Sequence, residues 1–154
     1  MAGNYFQAVK QKDGAIIPAL EYFSKEYEEG KKEIVMKGKN LTECCAMVAA
    51  FYANRLEQYN ELNAILRHFE IKLNAKKSEK YKHYLESYQR QLSSTDIKVY
   101  VEGDQDIVAL QTIINEITLI RNKFESLITC FETENYQLNN LSKIYAAGIT
   151  SVIL

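Results

Sequence analysis

From Cys45 to Leu73 apolar side chains return every three or four residues, and no proline follows Pro18 anywhere in the chain. Cys45, Val48, Tyr52, Tyr59, Leu62, Leu66, Phe69 and Leu73 hold the spacing, with Arg55, beside Leu56, as the exception. That period aligns them along one side of an α-helix, as a coiled-coil seam or a long amphipathic face. Asn40 followed by Glu43 forms a capping box and starts this helix near residue 41. A second stripe runs through Ile107, Leu110, Ile114, Ile117, Phe124, Ile128, Phe131, Leu138, Leu141 and Tyr145. Asp104 or Asp106 caps it, and Gly148 suits its C-terminal stop. Unbroken, that helix spans about 65 Å at about 1.5 Å per residue, a match for the first. Between them, Ser93-Ser94-Thr95-Asp96 ends a helix, and Ile97–Val101 alternates apolar and polar residues like a short strand or extended segment. The expected fold is mainly α: a long hairpin of coiled-coil-like helices with a short extended segment between them, assembling as a homo-oligomer.

Residues 1–17 are weakly patterned around an Asp13-Gly14 turn. From Pro18 a helical stripe of Leu20, Phe23, Tyr27, Ile34 and Val35 is interrupted at Gly30. Residues 1–40 therefore read as an N-terminal extension with one short helix, and 41–154 as the hairpin domain, within a single domain overall. Cys44, Cys45 and Cys130 have neither disulfide nor zinc spacing, and read as small buried hydrophobes in a reducing compartment. No signal-peptide pattern opens the chain, and the Ala46–Ala53 apolar run is too short to span a bilayer, so a cytoplasmic, membrane-free protein is expected. The end, with Ile149, Val152, Ile153 and Leu154, is apolar and uncharged, which suits burial against another subunit.

Extending the first seam places apolar residues at 76 and 80, yet both are lysines. A new stripe of Tyr81, Leu85, Tyr88 and Leu92 begins one position later. The helix either turns there toward a new partner, as at a stutter, or breaks near Asn74. Lys72, Lys76 and Lys80 share one side, with Lys77, Lys82 and His83 nearby and Tyr81, Tyr84 and Tyr88 adjacent. Charge is concentrated there. Residues 72–98 carry +4, against −1 for residues 1–71 and −4 for 99–154. Lysines neutralise phosphates and tyrosines offer flat faces to splayed bases, the combination that single-stranded nucleic acid needs. Lysine rather than arginine points to backbone contacts and tolerance of sequence. No phosphate loop, nucleophile elbow, metal spacing or cofactor motif accompanies them, so a non-enzymatic protein without metal or cofactor is expected. His68 lies near the seam and reads as a tucked histidine, not a ligand. The residues leave a second reading open: a coiled-coil structural or assembly protein whose lysines face solvent and whose tyrosines belong to the seam.

Phe51-Tyr52-Ala53-Asn54-Arg55-Leu56, the lysine-rich helix to Tyr84, Leu92 with Asp96, and Asp104 with the last helix to Ala147-Gly148 resemble the phage UvsY recombination mediators over roughly the last two thirds of the chain. The resemblance implies a small, helical, oligomeric single-strand binder of phage recombination and repair. Such proteins help load a RecA-like recombinase onto DNA coated by the phage single-strand-binding protein. The family's two basic DNA contacts fall at Ser78 and Lys80 in an ungapped register from Tyr52 and Leu56. Lys80 keeps the charge and Ser78 does not, leaving Lys76 or Lys77 to substitute from the preceding turn. The resemblance also implies oligomerisation through the C-terminal region.

Overall fold

The computed structural model describes residues 4–34, 38–87 and 92–148, and all regular structure among them is helical. Five α-helices follow in order: α1 (Tyr5–Gln11), α2 (Ile16–Glu33) after a short 3-10 turn at Asp13–Ala15, α3 (Leu41–Ser87), α4 (Ser94–Gly103) and α5 (Gln105–Ala146). The 47-residue α3 and 42-residue α5 form the expected hairpin. They run antiparallel. Cys44 and Val48 meet Leu138 at one end, Tyr52 donates to Glu132 further along, and Lys80 reaches Asp104 at the other end.

Both long helices begin at built caps. Asn40 Oδ1 accepts from the Glu43 amide at 2.9 Å, while the Glu43 carboxylate accepts from the Asn40 amide. Asp104 caps α5 by accepting from the Asp106 amide, and Gly148, at φ 79°, supplies the left-handed residue just past its end. α3 continues unbroken past Asn74. Phe69 and Leu73 are buried, and Tyr81 and Tyr84 pack partly against the same core. The lysines at 76 and 80 fall between them along the seam.

The expected extended segment at Ile97–Val101 is a helix. Ser93 and Asp96 form a reciprocal capping box. Ile97 and Val101, four apart, are buried, whereas Val99 and Tyr100 are exposed. β-branched residues gave the segment a strand-like alternation, but one buried i,i+4 pair and a cap are enough to set a helix that packs on α3.

The N-terminal region carries two helices where one was expected. α1 is capped by Asn4, whose side chain accepts from the Gln7 amide, and anchored by the fully buried Val9. Val9, Ile16, Ala19 and Phe23 enter the same core as Leu62, Ile65, Ile117 and Phe124. Phe23 meets Phe124 edge to face at 6.0 Å.

Gly30 does not interrupt α2; it marks a close crossing. A Cβ there would collide with the Leu127 side chain and lie 3.1 Å from Arg55 Nε. Arg55, the exception in the seam, is only 2% exposed. Its Nε and Nη2 donate to both oxygens of Glu33, at 2.9 and 2.6 Å, and Nη1 donates to Glu26 and to Gln58 Oε1. Gln58 Nε2 in turn donates to Glu26 at 2.8 Å. Gly30→Ala is expected to lower stability by about 1–3 kcal/mol through overpacking, outweighing a helix-propensity gain of about 1 kcal/mol. A urea midpoint at or above that of the unaltered protein would show that Leu127 has room to move.

Candidate nucleic-acid interface

The lysine stretch lies on the last four turns of α3, where α4 packs and α5 begins. Its cations do not form one open stripe. Lys80, with 21% of its side chain exposed, lies 2.9 Å from Asp104 and 2.8 Å from Asp106. The hydrogen bonds it donates to Asp106 and Asp104 raise its pKa far above the usual lysine value. The same contacts hold both carboxyls below their ordinary range. Lys76 pairs with Glu79 at 3.1 Å and lies 3.7 Å from Asp106. Lys72 pairs with Asp13, tying α3 to the turn before α2. Lys82 is 3.9 Å from Glu86 and well exposed. The seam thus passes through 76 and 80 as an ionic stretch facing the acidic start of α5.

Lys77 is different. It is half-buried, and no carboxylate among the described residues lies within ion-pairing distance of it. It lines an open cleft of about 540 Å³ with Ser78 and Tyr81 from α3 and Lys98, Val101 and Glu102 from α4.

The tyrosines also divide. Tyr84 donates to Asp104 at 3.2 Å and stacks on Tyr100 at 5.8 Å, so it locks α4 and α5 onto α3. Tyr81 is partly buried against the core with part of its surface in the cleft. Tyr88, and Ile149, Val152, Ile153 and Leu154 of the apolar end, lie outside the described residues. The lysine at 98 escaped sequence reasoning because its segment was read as extended; as a helix, α4 brings it to the lysine–tyrosine face.

Of the three cysteines expected to be buried only Cys44 is; Cys45 is half-buried and Cys130 is exposed on α5, all as free thiols. His68 is half-buried edge-on against Phe69, and no group of side chains among the described residues is arranged to hold a metal. Among the described residues no helix is long and apolar enough to cross a membrane.

The geometry can be set beside known proteins. No curated protein sequence matches the chain. The fold is similar to the crystal structure of the recombination mediator protein UvsY of bacteriophage T4, with a TM-score of 0.68 at 13% identity, over 82% of this chain and 98% of that one. A family described as the recombination, repair and ssDNA-binding protein UvsY matches residues 29–147, a span that takes in α3, α4, α5 and the whole lysine–tyrosine face. The chain therefore belongs to the UvsY family of recombination, repair and single-stranded-DNA-binding proteins.

Proposed function

We propose that this protein is a recombination mediator that binds single-stranded DNA and helps load a RecA-like recombinase onto strands coated by a phage single-strand-binding protein, in the cytoplasm of the host. The observation that carries the reading is the family match over residues 29–147, which contains the basic end of α3. In this reading Lys72, Lys76, Lys77, Lys80 and Lys82 contribute the cationic face, with Tyr81, Tyr84 and Tyr88 as its aromatic side. The lysines differ in role. Lys77 meets phosphate directly, Lys82 has only the exposed Glu86 at 3.9 Å to give up, and Lys72, Lys76 and Lys80 must exchange closer carboxylates for it.

Few contacts per chain make a weak site, so a homo-oligomer holding several stretches of one strand gains affinity through effective concentration. Exposed Leu119, Tyr136 and Tyr145 along α5 support self-association, alongside the apolar residues Ile149, Val152, Ile153 and Leu154. The acidic last third leaves surface for protein partners of the recombination machinery. The internal pairing of Lys72, Lys76 and Lys80 favours a second reading, a helical assembly protein that does not touch nucleic acid.

Fluorescence anisotropy of a labelled single-stranded oligonucleotide, titrated at several salt concentrations, separates the two. A mediator binds with log K falling linearly in log salt. Absence of binding at 50 mM salt, about the low end of the range over which such contacts are strongest, selects the assembly protein. A protein that binds is then tested for faster recombinase filament formation on strands coated by single-strand-binding protein; no acceleration would remove the loading role.

A further inference from the structure

We infer that the cleft between α3 and α4 is a nucleotide subsite in which one base lies on Tyr81 while its two flanking phosphates meet Lys77 on one wall and Lys98 on the other. The subsite rests on the single-strand reading above and assigns Lys98, from a separate helix, as half of the phosphate clamp. Three observations converge on it. Among the described residues neither ammonium is ion-paired, whereas Lys72, Lys76 and Lys80 of the same face all are. A half-buried tyrosine lines the same cleft as the two cations. The cleft, about 540 Å³, falls within the size range of small-ligand sites.

The shape favours a strand over an isolated anion. A second open cleft of about 460 Å³ adjoins the first, shares Lys77 and Glu102 with it, and is lined on α5 by Gln111, Thr112 and Asn115. A chain leaving the Tyr81 cleft past Lys77 therefore enters a trough of mixed lining, where Ile107 and Val108 offer apolar surface and Gln111, Thr112 and Asn115 offer amide and hydroxyl groups for sugar and base edges. Glu102 sits between the two clefts and is paired with neither lysine, so it penalises a phosphate placed directly over it and spaces the phosphates toward the lysines. Lysine ammonium groups suit phosphate oxygens, and an aromatic face accepts any base. A subsite of this composition reads the backbone and not the sequence.

The test uses the full-length protein and single-stranded oligonucleotides carrying 5-iododeoxyuridine, photocrosslinked and mapped by mass spectrometry, with parallel anisotropy titrations in salt. The crosslink is expected at Tyr81. Lys77→Gln and Lys98→Gln are each expected to flatten the slope of log K against log salt by about 0.7, and the double variant by about 1.4. Lys143→Gln, at the far end of α5, controls for loss of charge alone and should leave the slope unchanged; circular dichroism checks that each variant folds. If the unaltered protein binds but Lys98→Gln keeps its slope, or the crosslink maps away from the α3–α4 cleft, the subsite is wrong and the single-strand reading stands. If the unaltered protein binds no single strand at low salt, both are wrong.

Discussion

Arg55→Met is expected to lower folding stability by about 3–5 kcal/mol at pH 7, measured by urea unfolding. Arg55 is buried at the crossing of α2, α3 and α5, and its guanidinium satisfies Glu33 with two bonds and Glu26 with a third. Methionine fills much of the volume but leaves the two partly buried carboxylates without the cation they share. In the native protein, burial pushes the Glu26 carboxyl up, but hydrogen bonds from Gln58 and Arg55 and the charge of Arg55 outweigh it and hold its pKa below the ordinary value. The native contribution of Glu26 is therefore present above the unfolded carboxylate range and is lost as pH falls through its lowered folded value.

Without Arg55 the sign reverses. Burial then dominates, the folded pKa of Glu26 rises above its unfolded value, and its stability contribution is lost as pH rises. The difference between native and variant should accordingly shrink as pH is lowered from 7 toward 4. Combining Arg55→Met with Glu26→Gln and Glu33→Gln should recover most of the loss, because the destabilisation comes from stranded charge and not from a missing attraction. A loss under about 1 kcal/mol for Arg55→Met, in the range of exposed ion pairs, would mean that water reaches the cluster freely.

The same residue shows how much of the fold was legible in the sequence and where legibility stopped. Periodicity located both long helices, and the Asn40–Glu43 and Asp104 caps fixed where they start, because these signals are local. Arg55 could only be noted as a break in the seam. Its partners lie 22 and 29 residues away on α2, a separation that periodicity cannot bridge. Gly30 was read as a helix interruption for the same reason, since the Leu127 side chain that needs its missing Cβ is far along the chain. At Ile97–Val101 the β-branched residues outweighed the Ser93–Asp96 box in the reading, yet the buried i,i+4 pair set a helix.

Within the candidate interface, the concentration of lysines and tyrosines was legible, but their pairing was not. The seam's extension to 76 and 80 already implied that these side chains face α5, and the −4 charge of the last third supplied the counter-ions. Joining the two would have anticipated the ion pairs with Asp104 and Asp106. Because of this pairing, charge reversal at Lys76 and Lys80 is not a clean test of binding. Acidic residues there would face Asp106 and Asp104 and loosen the α3–α5 contact before any DNA was added.

Neutralising the opposite side of those pairs gives the informative experiment. Asp104→Asn with Asp106→Asn is expected to increase single-strand affinity and steepen its salt dependence. Asparagine caps a helix about as well as aspartate, so the start of α5 is retained while the competing charge is removed. Lys80 then loses both carboxylate partners, and Lys76 keeps only the exposed Glu79. If each lysine gains one phosphate, the slope of log K against log salt steepens by about 1.4, and lowering salt from about 200 to 50 mM strengthens the variant about sevenfold more than the native protein. Anisotropy titrations at the two concentrations measure this directly. In the native protein the carboxylates are held below their ordinary range by Lys80, so they release the lysines only as pH falls through those lowered values. Binding between pH 6 and 8, a range about where ordinary carboxylates stay ionised, should not depend on this exchange. Faster amide exchange at the start of α5 without any gain in affinity would assign Lys76 and Lys80 to holding the hairpin, and leave DNA contact to Lys77 and Lys98 of the α3–α4 cleft.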